Sequence, residues 1–221
     1  MSRTARGVLG GSFAVAATFV AASVAVASSL TWTFSPGGQI VATNVGNIIP
    51  RNVTRGSLIT CSAAEVKATA KTGSGLSGIG LVSVDEVHLG GYVGDPDICE
   101  GPSHLAMQVV INDLPLEFNA ESYDASSGTT RGKLINDSPG VTAKVIGLDD
   151  GCEADWTGPA GTPGHIDISY SNRTGEVTIE DTNLVAVNVN ALCPAVSLQA
   201  GDRLGVTGTF KADPIQTVTA Q

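Results

Sequence analysis

Short runs in which apolar and polar residues alternate one for one, each broken by Gly, Pro, Asn or Asp, constrain this chain more than any other feature. A period of two puts successive side chains on opposite faces of an extended strand, so one face can be buried while the other stays wet. In Leu116–Glu121, Leu116, Phe118 and Ala120 alternate with Glu117, Asn119 and Glu121. Ile166, Ile168 and Tyr170 alternate with Asp167 and Ser169, Val185, Val187 and Val189 with Ala186, Asn188 and Asn190, and Leu204, Val206 and Phe210 share a face with Gly208. Runs 39–44, 58–62, 64–70, 79–89, 105–111, 130–135, 141–146 and 176–180 read the same way. After residue 28 no window holds an i, i+3, i+4, i+7 apolar stripe long enough for a helix, and Val, Ile and Thr crowd the runs.

Between the runs stand turn sequences: Ser35-Pro36-Gly37-Gly38, Gly94-Asp95-Pro96-Asp97, Asp149-Asp150-Gly151 and the stretch Gly158 to Gly164. The expected fold is all-β: one antiparallel sandwich or barrel spanning residues 28–221. Two loops share the form S-Y-x-x-x-[ST]-G, Ser122 to Gly128 and Ser169 to Gly175, and both read as hairpins with the glycine in a left-handed position. Gly73-Ser74-Gly75-Leu76-Ser77-Gly78 matches G-x-G-x-x-G, but a strand pattern follows it where a nucleotide fold needs a helix. It reads as a glycine-rich connector.

Residues 1–27 hold Arg3 and Arg6, an uncharged stretch from Val8 to Val26, and Ala25-Val26-Ala27 before Ser28. That is the layout of a secretory signal peptide cleaved after Ala27, an uncleaved membrane anchor being the alternative. All four cysteines, Cys61, Cys99, Cys152 and Cys193, follow it, and an even count in an exported chain reads as two disulfides. Three pairings are possible; the sequential one, Cys61 with Cys99 and Cys152 with Cys193, is expected. A formal charge of −9 with 12 basic residues gives no footprint for a nucleic acid, and anionic lipid would repel it. Stable membrane insertion after signal cleavage is not expected either.

Chemistry-bearing residues are scattered. His88, His104 and His165 stand far apart in sequence and in no metal or nucleophile motif. Asp95 and Asp97 precede Cys99, with Glu100 after it, and Asp149 and Asp150 precede Cys152, with Glu153 and Asp155 after it. Carboxylates on braced loops are ligands that Ca²⁺ prefers, although the spacing is not that of an EF-hand. Trp156, in a Gly/Pro-rich segment, and Tyr92, beside Gly90-Gly91, read as standing outside the alternation, as a ring stacking on sugar would. Asn52-Val53-Thr54, Asn136-Asp137-Ser138 and Asn172-Arg173-Thr174 are glycosylation sequons or turns. No cofactor is indicated.

The order of these features, from the Ala-rich leader through Leu58-Ile59-Thr60-Cys61, Gly73 to Gly80, a second cysteine, Leu114 to Asp124, Ser169 to Gly175 and Leu192-Cys193 to Gly201-Asp202, resembles a group of uncharacterised secreted actinobacterial β-proteins with a signal peptide and four cysteines. The resemblance covers most of the chain after the leader and rests on turns, cysteines and alternation. It implies a compact exported β-protein and carries over no catalytic residue. The chain departs from that group at Gly90 to Pro102, where Asp95, Asp97 and Glu100 replace a smoother Gly/Ser loop.

Three roles follow as expectations. The first is a non-enzymatic extracellular or cell-surface interaction or structural module, with the cell wall, an extracellular protein or a glycan as partner. The second is a calcium- or glycan-binding module using Asp95, Asp97, Asp149, Asp150 and Trp156. The third is a secreted hydrolase assembled from residues distant in sequence.

Overall fold

A computed structural model describes residues 30–137 and 139–221, so the expected leader, 1–27, lies outside the described residues. Seventeen strands follow in chain order: β1 (Trp32–Ser35), β2 (Gly38–Asn44), β3 (Ile49–Asn52), β4 (Ala63–Ala70), β5 (Gly73–Leu76), β6 (Val82–Gly90), β7 (Cys99–Glu100), β8 (Ala106–Asn112), β9 (Leu116–Asp124), β10 (Thr129–Ile135), β11 (Thr142–Gly147), β12 (Glu153–Thr157), β13 (Ile166–Ser171), β14 (Glu176–Thr182), β15 (Val185–Val187), β16 (Leu204–Asp213) and β17 (Thr217–Ala220). Helix among the described residues amounts to two short 3-10 turns, Tyr92–Gly94 and Pro102–His104.

Eight strands, β2, β4, β6, β9, β10, β13, β14 and β16, lie side by side in that order, and β14 also pairs with β16. The ring is therefore closed. Every neighbouring pair is antiparallel. Each strand's ring neighbour is the next ring strand along the chain, which makes the architecture an up-and-down barrel with no free edge in the ring. Of the two expected architectures, the barrel is the one observed.

Because direction reverses at each step, connections fall alternately at two ends. One end carries the turns β4–β6, β9–β10 and β13–β14, closed over by a small sheet in the order β17-β1-β5. The other carries four long connections, β2–β4, β6–β9, β10–β13 and β14–β16. Three of them supply a five-stranded sheet, β15-β12-β11-β8-β7, which forms a lid, and the β2–β4 connection supplies β3, paired to β16. The disulfides follow the sequential pairing: Cys61–Cys99 and Cys152–Cys193, separated by 38 and 41 residues. The first ties the β2–β4 connection to the β6–β9 connection, and the second ties β10–β13 to β14–β16. The four long connections are thus stapled in two pairs. Two disulfides mark a non-reducing environment, and no helix among the described residues is long and apolar enough to cross a membrane.

Alternation sets which way the barrel faces. Ile40 and Ala42, Val84 and Leu89, Leu116 and Phe118, and Ile166, Ile168 and Tyr170 are buried inside. Outside, Lys67 meets Glu86 at 2.7 Å and Lys133 meets Glu121 at 3.0 Å, exposed ion pairs that each contribute little stability. A charged exterior around an apolar interior reverses the pattern of a membrane barrel.

Four local expectations are corrected. Run 58–62 forms no continuous strand but isolated antiparallel bridges, Arg51 with Leu58 and Ile48 with Cys61 on one side and Thr60 with Glu100 on the other, so its backbone is shared between the β3 segment and β7. The glycine-rich connector contains β5, an edge strand held by the β1 backbone and independent of side chains. Within 185–189 it is Ala186 that is fully buried while Val185 and Val187 are half-buried, since Ala186 stands opposite the large ring of Trp156. Trp156 itself is in β12 and obeys the alternation, with Ala154 and Trp156 inward and Glu153, Asp155 and Thr157 half-exposed.

Candidate functional site

The barrel encloses a lumen of about 190 Å³ whose lining offers apolar surface only. Ring strands supply the wall: Ile40 and Ala42 from β2, Val66 and Ala68 from β4, Leu116 and Phe118 from β9, Ile166 and Ile168 from β13, and Phe210 and Ala212 from β16. The small end sheet contributes Phe34 and Val218, and the lid contributes Val109, Ile111, Ala143 and Trp156. An eight-stranded barrel has an interior that side chains can just fill or that can hold one small ligand. Alanine decides between these here. Ala68, Ala42 and Ala212 sit on three adjacent strands, with Ala42 directly opposite Ala212 in register, so one wall lacks the bulk that Phe118, Ile166 and Ile168 give the other. A space of this size forgoes packing worth roughly 4–5 kcal/mol relative to a filled core.

Trp156 closes the lumen from the lid. Its register partners are Ala143 on β11 and Ala186 on β15, both at most 1% exposed, so the indole is flanked by two small side chains. The ring is 4% exposed. Its Nε1–H is buried and, among the described residues, has no hydrogen-bond partner. Trp156 and Pro50 also line a second, smaller space of about 70 Å³ with Asn52, Met107 and Cys152, so the indole stands in the partition between the two.

Polar groups fasten both ends. Beside the lid, Asp202 is 4% exposed and accepts hydrogen bonds from Asn52 Nδ2 at 2.7 Å, Arg55 Nε at 2.6 Å and the Gln199 N–H at 2.8 Å. Burial alone would raise this carboxyl, but the donors from Asn52, Arg55 and Gln199 hold it below the usual 3.8. At the far end the Tyr170 hydroxyl donates to the Gln216 carbonyl at 2.7 Å and accepts from the Gln216 N–H at 2.8 Å. Asn172 pairs through both side-chain amide atoms with the Val218 backbone, at 2.7 Å and 2.8 Å, acting on β17 as a neighbouring strand would. These roles explain two sequons: Asn52 is buried, and Asn172 is spent on β17.

The acidic loop residues serve the backbone. Asp95 Oδ1 accepts from the Asp97 N–H, Asp150 Oδ1 from the Cys152 N–H and Asp149 Oδ2 from the Ala106 N–H. Asp97 Oδ1 pairs with His88 Nδ1 at 2.9 Å, and that hydrogen bond, outweighing burial, raises His88 above 6.5. His104 pairs with Glu100, and His165 lies near Asp167. Among the described residues no group of three His, Cys, Asp or Glu side chains is placed to hold a metal ion. Tyr92 donates its hydroxyl to the His104 carbonyl. Trp156, read from the sequence as a ligand-loop ring, is instead an inward lid residue. The lumen itself was missed; its one sequence signal is alanine at inward positions of β2, β4 and β16.

No protein-family model matches the chain, and no curated protein or solved structure matches it.

Proposed function

We propose that this is an exported, non-enzymatic interaction module of the cell surface or extracellular space, working through its lid end. One observation carries the reading. Of the twelve large apolar side chains exposed among the described residues, eight lie in the four long connections: Val45, Val53, Leu58, Val93, Val110, Leu148, Leu192 and Val196. Exposed apolar groups gathered on braced loops mark contact surfaces, because a rigid loop loses little freedom on binding. Two disulfides suit export, the leader layout of residues 1–27 suits it too, and the resemblance to secreted actinobacterial proteins belongs to the same reading. The three imidazoles each lie beside a carboxylate, without a hydroxyl nucleophile bonded to them among the described residues.

Fractionating a producing culture tests export: the reading expects a chain lacking residues 1–27, in the medium or on the cell surface, with no free thiol. Full-length protein in the cytosol with four titratable thiols would overturn it. Retention on washed cells tests the surface. A Leu192→Ser, Val196→Ser variant should fold like the parent and bind cells at least about fivefold less, whereas unchanged retention would remove the lid end as the contact surface.

A further inference from the structure

We propose that the lumen beneath the lid is a binding site for one hydrocarbon, a compact aromatic or alicyclic ring of about seven or eight carbon atoms that carries no hydrogen-bonding group. The site is independent of the outer surface proposed above, and loss of either would leave the other standing.

Interiors of folded proteins hold few voids larger than a water molecule, whereas about 190 Å³ stands open here between the lid and the small end sheet. Residue choice keeps it open. Ala42, Ala68, Ala143 and Ala212 line it from β2, β4, β11 and β16, and a larger aliphatic residue at any one would take up part of the space. Size sets the first limit on an occupant: an apolar cavity of about 150 Å³ accepts a benzene ring, so this one has room for a ring with a short branch. Lining chemistry sets the second, because the residues there that own polar side-chain groups keep them from the lumen. The Tyr170 hydroxyl is spent on the Gln216 backbone, Gln216 Oε1 accepts from the Gly37 N–H at 2.7 Å, Gln216 Nε2 donates to the Pro214 carbonyl at 2.9 Å, and the Trp156 N–H has no exposed surface. The wall therefore offers an occupant apolar contact alone. A hydroxyl or carbonyl carried inside would lose its water and find no partner. A hydrocarbon loses nothing of that kind, and it restores the dispersion contacts that an empty space forgoes. Water does not compete, since an apolar void stays dry.

The test compares two probes of nearly equal shape on the oxidised protein: toluene, and phenol, which has a hydroxyl in place of the methyl group. Binding is read by calorimetry and by the melting temperature, which a molecule held only by the folded state must raise. Toluene should bind and raise it, and phenol should bind at least about tenfold more weakly, the effect of one buried hydroxyl left without a partner. Ala143→Leu, which fills part of the lumen from the lid, should weaken toluene at least about tenfold; should that variant fail to fold, Ala143→Val tests the same point with a smaller group. Leu192→Ser, Val196→Ser, altered only on the outer surface, should bind toluene as the parent does. Absence of toluene binding would overturn the site, and phenol binding as tightly as toluene would overturn its exclusion of polar groups. Unchanged binding in the filled variant, or loss of binding in the outer-surface variant, would overturn the location.

Discussion

Asp202 is where a single side chain does most for the lid end of the molecule. It ties β3, the turn after it and the β15–β16 connection through Asn52, Arg55 and the Gln199 backbone. Asp202→Asn keeps the shape but replaces the charged acceptor with a neutral amide whose NH2 group is a donor among donors, and should cost about 2–3 kcal/mol in urea unfolding. The folded carboxyl lies below the unfolded value of 3.8, so its contribution is fully present above that pH and is lost as pH falls through the lowered value. The parent should lose stability on acidification below about pH 4, more steeply than Asp202→Asn; parallel curves would contradict this. Asp124 follows the same sign at the exposed end of β9, where the Ser126 and Ser127 hydroxyls, joined by their backbone N–H groups, draw its carboxyl down to about 2. An NMR titration should find it there, and Ser126→Ala should move it back toward the ordinary range. His88 shows the opposite sign: its link to Asp97 is complete below 6.5 and is lost as pH rises through the raised value.

At the scale of elements, each hairpin ends where a glycine permits it. Gly128 and Gly175 have φ of 69° and 68°, and both S-Y-x-x-x-[ST]-G loops are hairpin turns, as their sequence implies. The two lie side by side, since β10 pairs with β13 and the Asn172 N–H donates to the Gly128 carbonyl at 3.0 Å. Asn172→Ala should remove about 1–2 kcal/mol and speed hydrogen exchange at Val218 more than at Thr130, because it frees β17 without touching the ring. Loss of the Cys152–Cys193 bridge in a Cys152→Ala, Cys193→Ala variant should cost roughly 2–4 kcal/mol under oxidising conditions. Under reduction, Cys61→Ala and Cys193→Ala variants should melt much as the parent does; a large remaining gap would show that these thiols do more than pair. Strands with strong alternation and a wet outer face, β2, β4, β8, β9, β10, β11, β13 and β14, were legible because both sides of the pattern are written in residue type. β12 was not, since Glu153 and Asp155 around Cys152 mimic an acidic loop. β1, β5 and β17 are four residues each and are held by one another's backbones and by Asn172, a relation between distant segments that local pattern does not carry.

For the whole molecule, ring closure and the position of the long connections account for most of what the surface and interior can do. Closure requires β14 to meet β16, a contact set by strand count and stagger rather than by any local signal. Once the ring is closed, alternating connections send every long insertion to one end, and the two disulfides bind those insertions in pairs. The candidate site was therefore hardly legible in advance: the acidic residues singled out by spacing cap turns, while Trp156 faces inward over a lumen that exists because alanines share one wall. Trp156→Ala should cost about 3–5 kcal/mol through the loss of the partition between the two spaces, a larger effect than any lid surface change. The most direct check on a hollow, lidded barrel is a crystal structure of the oxidised protein under xenon pressure. Xenon density inside the ring, in contact with Trp156 and Ala143, is the predicted result; a xenon-free interior filled by side chains, or β14 separated from β16, would contradict the account.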